Sequence, residues 1–253
     1  MEYGLYHGCG NSFYIGFYND NIDYKALSKK ICNNVDGLIL LKENPLTMLI
    51  YNADGSIATM CGNGLRCFAK FVYDLNIVKD LKFNVKTLAG NIEVEIKSTN
   101  PFISSINLGK PNYSTSKLGI DVPLDELINY QYDENIIVSA VFLGTDHLVL
   151  IDYEDYEIAE KIARSTIFTK GINVNFVKVK SKEKIYVKTY ERGVGWTKAC
   201  GTGASSSFCI CNRLGLIGPK VEVEVDGGKL LVYKDNENII LEGPAVTIKE
   251  PLL

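Results

Sequence analysis

Apolar and polar residues alternate in many short stretches of this chain, and a period of two predicts strands. Phe83–Thr87 and Ile92–Ile96 read as strands joined by the turn Ala89-Gly90-Asn91. Ile136–Leu143, Leu148–Ile151, Val174–Val179 and Ile185–Tyr190 follow. Val221–Val225 and Lys229–Tyr233 flank Asp226-Gly227-Gly228, a hairpin signal. Helical spacing is rarer. Leu65, Phe68, Ala69 and Val72 fall at i, i+3, i+4 and i+7, and Ala204, Ser207, Phe208 and Cys211 repeat the pattern. Gly215 and Pro219 predict the end of that second helix. Tyr24–Ile31 and Tyr156–Ala163 are expected as further helices. The class expected is α+β, rich in strands.

An internal repeat organises this pattern. Met60-Cys61-Gly62-Asn63-Gly64 opens the first amphipathic helix, and Ala199-Cys200-Gly201-Thr202-Gly203 opens the second. The two elements stand a little over half the chain apart. Two pseudo-symmetric halves are expected, residues 1–115 and 116–253, with a boundary near Pro111–Lys117 and the last few residues free to return to the first half.

Composition narrows the function. The chain has 253 residues, 46% hydrophobic and 23% charged, with a formal net charge of −3. That balance argues against a nucleic-acid or membrane surface as the main partner. No apolar run approaches the ~18 residues of a membrane span. Met1-Glu2-Tyr3-Gly4 carries no basic leader or apolar region, and seven cysteines are an odd count, so reduced thiols in a cytoplasm are expected. With two histidines, His7 and His147, a histidine-rich metal cage has too few ligands.

A cysteine at the start of a helix gains from the positive end of the helix dipole, which favours thiolate over thiol. The Gly-x-Gly that follows lets the backbone approach a ligand and present N–H groups to an anion. Two such elements would hold one carboxylate and place a sulfur on each side of the adjacent carbon. That arrangement suits inversion of a stereocentre: one thiolate removes the α-proton and the opposite thiol returns a proton to the other face. The carbanion would be stabilised by the backbone donors, with no metal or organic cofactor required. Other readings stay open. Cys61-x5-Cys67 and Cys209-x-Cys211 are candidate metal-ligand spacings, but neither has paired Cys-x2-Cys spacing. A Cys-Gly pair can also be a small buried residue and a turn. A binding module needs one anion-holding helix end and no second thiol, and a thiol–disulfide oxidoreductase lacks its Cys-x-x-Cys.

Longer stretches carry a resemblance. Asn52-Ala53-Asp54-Gly55-Ser56 with Met60–Cys67, and Glu191-Arg192-Gly193-Val194-Gly195 with Ala199–Ala204, resemble the two signatures of diaminopimelate epimerases. His7–Asn11, Asp36–Ile39, Thr87–Gly90, Asn173–Val177 and Gly243–Ala245 follow in the family's order. The resemblance implies two halves, each a mixed sheet wrapped round a central helix, with an active-site cleft between them and racemisation independent of pyridoxal phosphate. It implies Cys61 and Cys200 as the acid/base thiols, with Gly62, Asn63, Gly64, Gly201 and Thr202 at the reacting carboxylate. Asn11, Asn52, Asn173, Glu191 and Arg192 match positions that contact the substrate's amines and carboxylates; each asparagine could instead cap a turn. The family also implies a homodimer.

Some positions depart from the family pattern. Gly-Asn-Pro-His reads Gly144-Thr145-Asp146-His147, so a hydroxyl replaces an amide that holds the distal carboxylate. Phe-Pro reads Phe168-Thr169, Ser12 replaces an aspartate, and Trp196 replaces a glutamate. Thr145, His147 and Trp196 are therefore expected at the substrate side chain. An unpaired buried charge is costly, which weighs against diaminopimelate. Histidine, whose flat ring would stack on Trp196, is the first substrate expected, with diaminopimelate as the alternative; Trp196 could equally face a domain or dimer contact.

Overall fold

The alternating stretches fold as strands, and central helices grow from the two Cys-Gly-x-Gly elements. The computed structural model describes residues 3–251. Met1 and Glu2, on which the expectation of no leader partly rests, lie outside the described residues, as do Leu252 and Leu253.

The chain divides into two compact units. One runs to Asn107 and resumes at Glu242; the other is Leu108–Leu241. The division thus lies ahead of the Pro111–Lys117 stretch and the 115/116 boundary expected from sequence. The C-terminal segment counts with the first unit because its last strand hydrogen-bonds the first strand of the chain.

The first unit contains β1 (Gly4–Gly8), β2 (Asn11–Phe17), α1 (Tyr24–Ile31), β3 (Gly37–Lys42), β4 (Thr47–Asn52), β5 (Ile57–Ala58) and α2 (Gly62–Asp74). It continues with β6 (Lys82–Thr87), β7 (Gly90–Thr99) and β8 (Phe102–Asn107). The second contains α3 (Thr115–Leu118), β9 (Tyr130–Asp133), β10 (Ile136–Leu143), β11 (Thr145–Ile151), α4 (Ile158–Ala163), β12 (Asn173–Ser181) and β13 (Lys184–Glu191). After these come β14 (Gly195–Thr197), α5 (Gly201–Arg213), β15 (Lys220–Val225) and β16 (Gly228–Asp235). Then β17 (Asn238–Pro244) crosses the division and β18 (Val246–Lys249) ends the described chain.

Both units repeat one pairing order. β1 and β2 are antiparallel, β2 and β3 parallel, β3 and β4 antiparallel. β10 with β11, β11 with β12, and β12 with β13 reproduce those three relations. A short antiparallel strand follows, β5 or β14, then the helix, then a parallel step from β4 to β6 or from β13 to β15. Antiparallel hairpins close each series, β6–β7 and β15–β16.

The helices sit in these sheets as the apolar spacing requires. Leu65, Phe68, Ala69 and Val72 of α2 have no exposed surface. Helix α5 is buried on all sides from Gly201 to Cys211, because small residues let strands approach every face. The sequence pattern missed β3, whose Gly-Leu-Ile-Leu-Leu is buried on both faces and so does not alternate. It also missed β5 and β14, which are too short to show a period. Helix α4 begins at Ile158, two residues later than Tyr156. Among the described residues, no helix is long and apolar enough to cross a membrane.

Candidate active site

Each central helix begins on a cysteine whose sulfur caps it. Cys61 is extended (φ −142°, ψ 119°) and its Sγ accepts from Gly64 N at 3.4 Å. Cys200 is likewise extended (φ −118°, ψ 110°) and its Sγ accepts from Gly203 N at 3.3 Å. An N-cap acceptor normally is a hydroxyl or carboxylate oxygen; here a thiol takes that place, so the helix end acts directly on sulfur. Asn63 and Thr202 lie in the first turns, whose N–H groups have no intrahelical carbonyl to bind.

In the first unit the site residues form a directed chain. The wholly buried Arg66 donates from Nη2 to Asn63 Oδ1 at 2.7 Å and from Nη1 to the Gly62 carbonyl at 3.4 Å. Asn63 Nδ2 donates to Asn11 Oδ1, and Asn11 Nδ2 donates to Asp36 Oδ1 at 2.9 Å. Asp36 also accepts from Ser12 N at 2.7 Å, so Ser12, where the family carries aspartate, contributes only backbone there. Asn52, at the end of β4, donates to Ser56 Oγ at 2.9 Å and holds the Asn52–Ser56 turn.

In the second unit, Thr145, His147, Asn173 and Thr202 come together. His147 Nε2 lies 2.8 Å from Thr145 Oγ1 and 3.0 Å from Thr202 Oγ1. Thr202 Oγ1 stands 3.4 Å from Cys200 Sγ. Asn173 donates to the Asp146 carbonyl at 3.0 Å and accepts from Arg192 N at 2.9 Å. His147, expected at the substrate, has no exposed surface and so meets none directly. Burial, the first cause, pushes its imidazole down to about 3, so the ring is neutral.

Glu191 Oε1 accepts from Thr197 Oγ1 at 2.7 Å. Arg192 is exposed, and its Nη1 donates to the carbonyls of Lys170 and Gly171. It borders an open depression of about 820 Å³ shared with Ser165, Thr166, Thr169 and Tyr190. Trp196 is 42% exposed and lies beside other aromatic rings. Its ring is built into a cluster with Tyr156, Phe176 and Tyr190, at centroid distances of 5.8, 5.8 and 5.4 Å. Lys188 Nζ stands 4.8 Å over it.

The other cysteines have a different chemistry. Burial pushes the Cys209 and Cys211 thiols up to about 12, and Cys32 to about 11, while Cys9 and Cys67 are raised too. They are protonated packing residues at neutral pH. Sequence reasoning missed Asn175, Thr189 and Arg66. The available signal was period: Asn175 lies two residues from Asn173, on the same face of the buried first half of β12.

The comparisons with known proteins agree with one another. The family profile described as diaminopimelate epimerase matches residues 5–114 and 140–248. A diaminopimelate epimerase of Alkaliphilus metalliredigens is 38% identical over 270 residues, covering 98% of this chain and 95% of that protein. One from Caldanaerobacter subterraneus subsp. tengcongensis is 38% identical over 262 residues, covering 96% of each. Among solved structures, a PhzF-family phenazine biosynthesis protein of Bacillus anthracis superposes with a TM-score of 0.70 at 14% identity, covering 98% of both chains, a likeness of fold.

Proposed function

The chain belongs to the diaminopimelate epimerase family and is an isomerase of the epimerase/racemase class, and from that premise we propose that it inverts one α-carbon of diaminopimelate with Cys61 and Cys200 as its acid/base pair. The observation that carries this reading is the matched capping of two equivalent helices by two thiols, each within 3.4 Å of a backbone N–H.

In the proposed reaction one cysteine, as thiolate, takes the α-proton and becomes a thiol. The electron pair left on the α-carbon spreads into the carboxylate, where first-turn N–H groups of α2 and α5 stabilise the added charge. The other cysteine, as thiol, gives its proton to the opposite face and becomes the thiolate. Exchange with solvent resets the pair. No cofactor enters these steps. Tuning comes from the helix ends, since an unperturbed thiol is mostly protonated at neutral pH.

The relatives' substrate supports diaminopimelate over histidine. The histidine reading stood on Trp196 as a stacking face, and that ring is engaged by Lys188 and three aromatic neighbours. Arg192 supports a substrate with a second carboxylate: its guanidinium borders an open depression, and beyond Nη1 it makes no hydrogen bond among the described residues. The Thr145 hydroxyl is committed to His147 and Thr202, so it does not replace the family's asparagine.

The test is α-deuteration in D2O with LL-diaminopimelate, histidine, lysine and glutamate offered separately. Exchange and inversion of diaminopimelate alone is the expected result. Turnover of histidine without diaminopimelate would overturn the substrate; no exchange with any amino acid would overturn the reaction.

A further inference from the structure

The repeated topology allows the two units to be compared position by position. Phe13 lies opposite Gly37, and His147 lies opposite Asn173, at the same parallel step. Asn11 and Asp36 in the first unit thus hold the places of Thr145 and Ile172 in the second. The helices align on their capping cysteines, so Asn63 matches Thr202 and Arg66 matches Ser205. Arg66 Nη1 donates to the Gly62 carbonyl at 3.4 Å, and Ser205 Oγ donates to the Gly201 carbonyl at 2.9 Å. The two side chains make the same local bond and both are wholly buried, but only one carries charge.

That charge stands where helix electrostatics disfavours it. The start of a helix is already positive, so a cation belongs near the other end. Burial away from water adds to the cost, and a guanidinium cannot escape by losing its proton. Its remaining hydrogen-bond partners are neutral: Asn63 Oδ1 at 2.7 Å, the Pro244 carbonyl at 3.4 Å and the Cys9 thiol. Among the described residues the ion-paired arginines are Arg164 and Arg213, both exposed. Asp36, which ends the relay from Arg66, is exposed and stands beyond the amides of Asn63 and Asn11. The second unit folds with serine at this position, so the fold itself does not require the cation. Local exceptions of this kind gather at functional sites.

Negative charge has two places at the start of α2. One is the Cys61 sulfur, which caps the helix. The other is a substrate carboxylate at the first-turn N–H groups. The Gly62 carbonyl that accepts from Arg66 belongs to the same peptide unit as the Asn63 N–H. Hydrogen bonds in series polarise one another, so a charged donor on that carbonyl strengthens the N–H on the other side of the peptide.

We propose that Arg66 is a positioning residue of the first unit, a buried counter-cation that acts through the Gly62–Asn63 peptide to hold negative charge at the start of α2, on Cys61 Sγ as thiolate and on the substrate carboxylate beside it, with no counterpart on α5. It rests on the reading of Cys61 as an acid/base thiol. The other titratable groups around Arg66 and Cys61 are the Cys9 and Cys67 thiols, both raised by burial, and Asp36 ahead of β3. Tyr6 on β1 lies toward the far end of the helix, beside Asp74 and its partner Lys70, and Lys249 follows Thr247, which bonds Asp74 there. His7 is on the opposite face of β1 from Tyr6 and Gly8. Strands β2, β4 and β8, which also pack on α2, contain no charged residue. A nearby opposite charge favours the ionised form of an acid by about one pKa unit or more.

The test is the pH dependence of iodoacetamide labelling at Cys61, which is partly exposed, read by peptide mass spectrometry on the full-length protein. Arg66→Gln and Arg66→Lys both lose the planar fork, and only the lysine keeps the charge. The expected result is a wild-type Cys61 midpoint below the ordinary thiol value of about 8.5, raised by about one pH unit in R66Q and near wild type in R66K. A purely structural role would move the urea midpoints of both variants and neither labelling midpoint. An unchanged midpoint in R66Q, an equal shift in R66K, or a wild-type Cys61 that titrates at or above the ordinary value would overturn the proposal. The last outcome needs no variant and decides the matter even if R66Q does not fold. Labelling uses no substrate, so failure of diaminopimelate to turn over would defeat the functional reading and leave this result standing.

Discussion

Arg66 Nη2 donates to Asn63 Oδ1 over 2.7 Å, and neither side chain has appreciable exposure. Because guanidinium only donates, it settles which end of the Asn63 amide faces Asn11, and hence that Asn11 presents its own Nδ2 to Asp36. A buried cation thus sets the direction of a chain ending on a carboxylate. Replacing Arg66 by Leu leaves Asn63 Oδ1 and the Gly62 and Pro244 carbonyls without that donor. The expected cost is about 3 kcal/mol, read as a lower urea midpoint.

Serine at either capping position keeps a helix cap but loses an acidic proton. Cys61→Ser and Cys200→Ser are each expected to lower inversion of diaminopimelate about 10³-fold, measured by polarimetry, while ligand affinity by calorimetry stays close to wild type. A binding module on this fold would show no exchange activity in the wild type to lose.

Gly203 and Gly64 occupy equivalent places but differ in what lies over them. An alanine at 203 meets Asn175 and Thr189, both held by hydrogen bonds, and is expected to cost about 2 kcal/mol. An alanine at 64 meets the end of the flexible Ile39 side chain and should cost clearly less. Thermal unfolding of the two variants side by side provides the comparison; equal losses would contradict it.

Helix α1 offers a stability control away from the chemistry. Its N-cap Asp23 accepts from Ala26 N at 3.1 Å. Asp23→Ala should lower stability by about 1 kcal/mol and leave kcat and KM unchanged.

The buried His147 gives stability a pH dependence. Its folded pKa is about 3, below the ordinary histidine value, with desolvation as the first cause. Between about 6.5 and 3 the unfolded chain binds a proton that the folded chain does not. Its contribution is therefore fully present above about pH 6.5 and is lost as pH falls, at up to about 1.4 kcal/mol per pH unit. Chemical denaturation across pH 4–7 of wild type and His147→Phe should show the slope reduced in the variant.

Sequence alone was enough for the two helices and the thiols at their heads, because a 3.6-residue apolar spacing and a Cys-Gly-x-Gly entry are local facts of the chain. It also carried the family, through ordered motifs from His7 to Ala245. Tertiary structure decided what those residues touch. Asn52 and Asn63 are the same amide in sequence, yet one ties a turn to Ser56 and the other relays a buried charge. Trp196 read either as a stacking face or as a packing contact, and the fold sets Lys188, Tyr156, Phe176 and Tyr190 around its half-exposed ring. His147 read as a substrate contact, but it is wholly buried beside the Asn175 amide. The physical reason is that periodicity and motif depend on neighbours along the chain, while hydrogen-bond direction and burial depend on strands that meet only after folding.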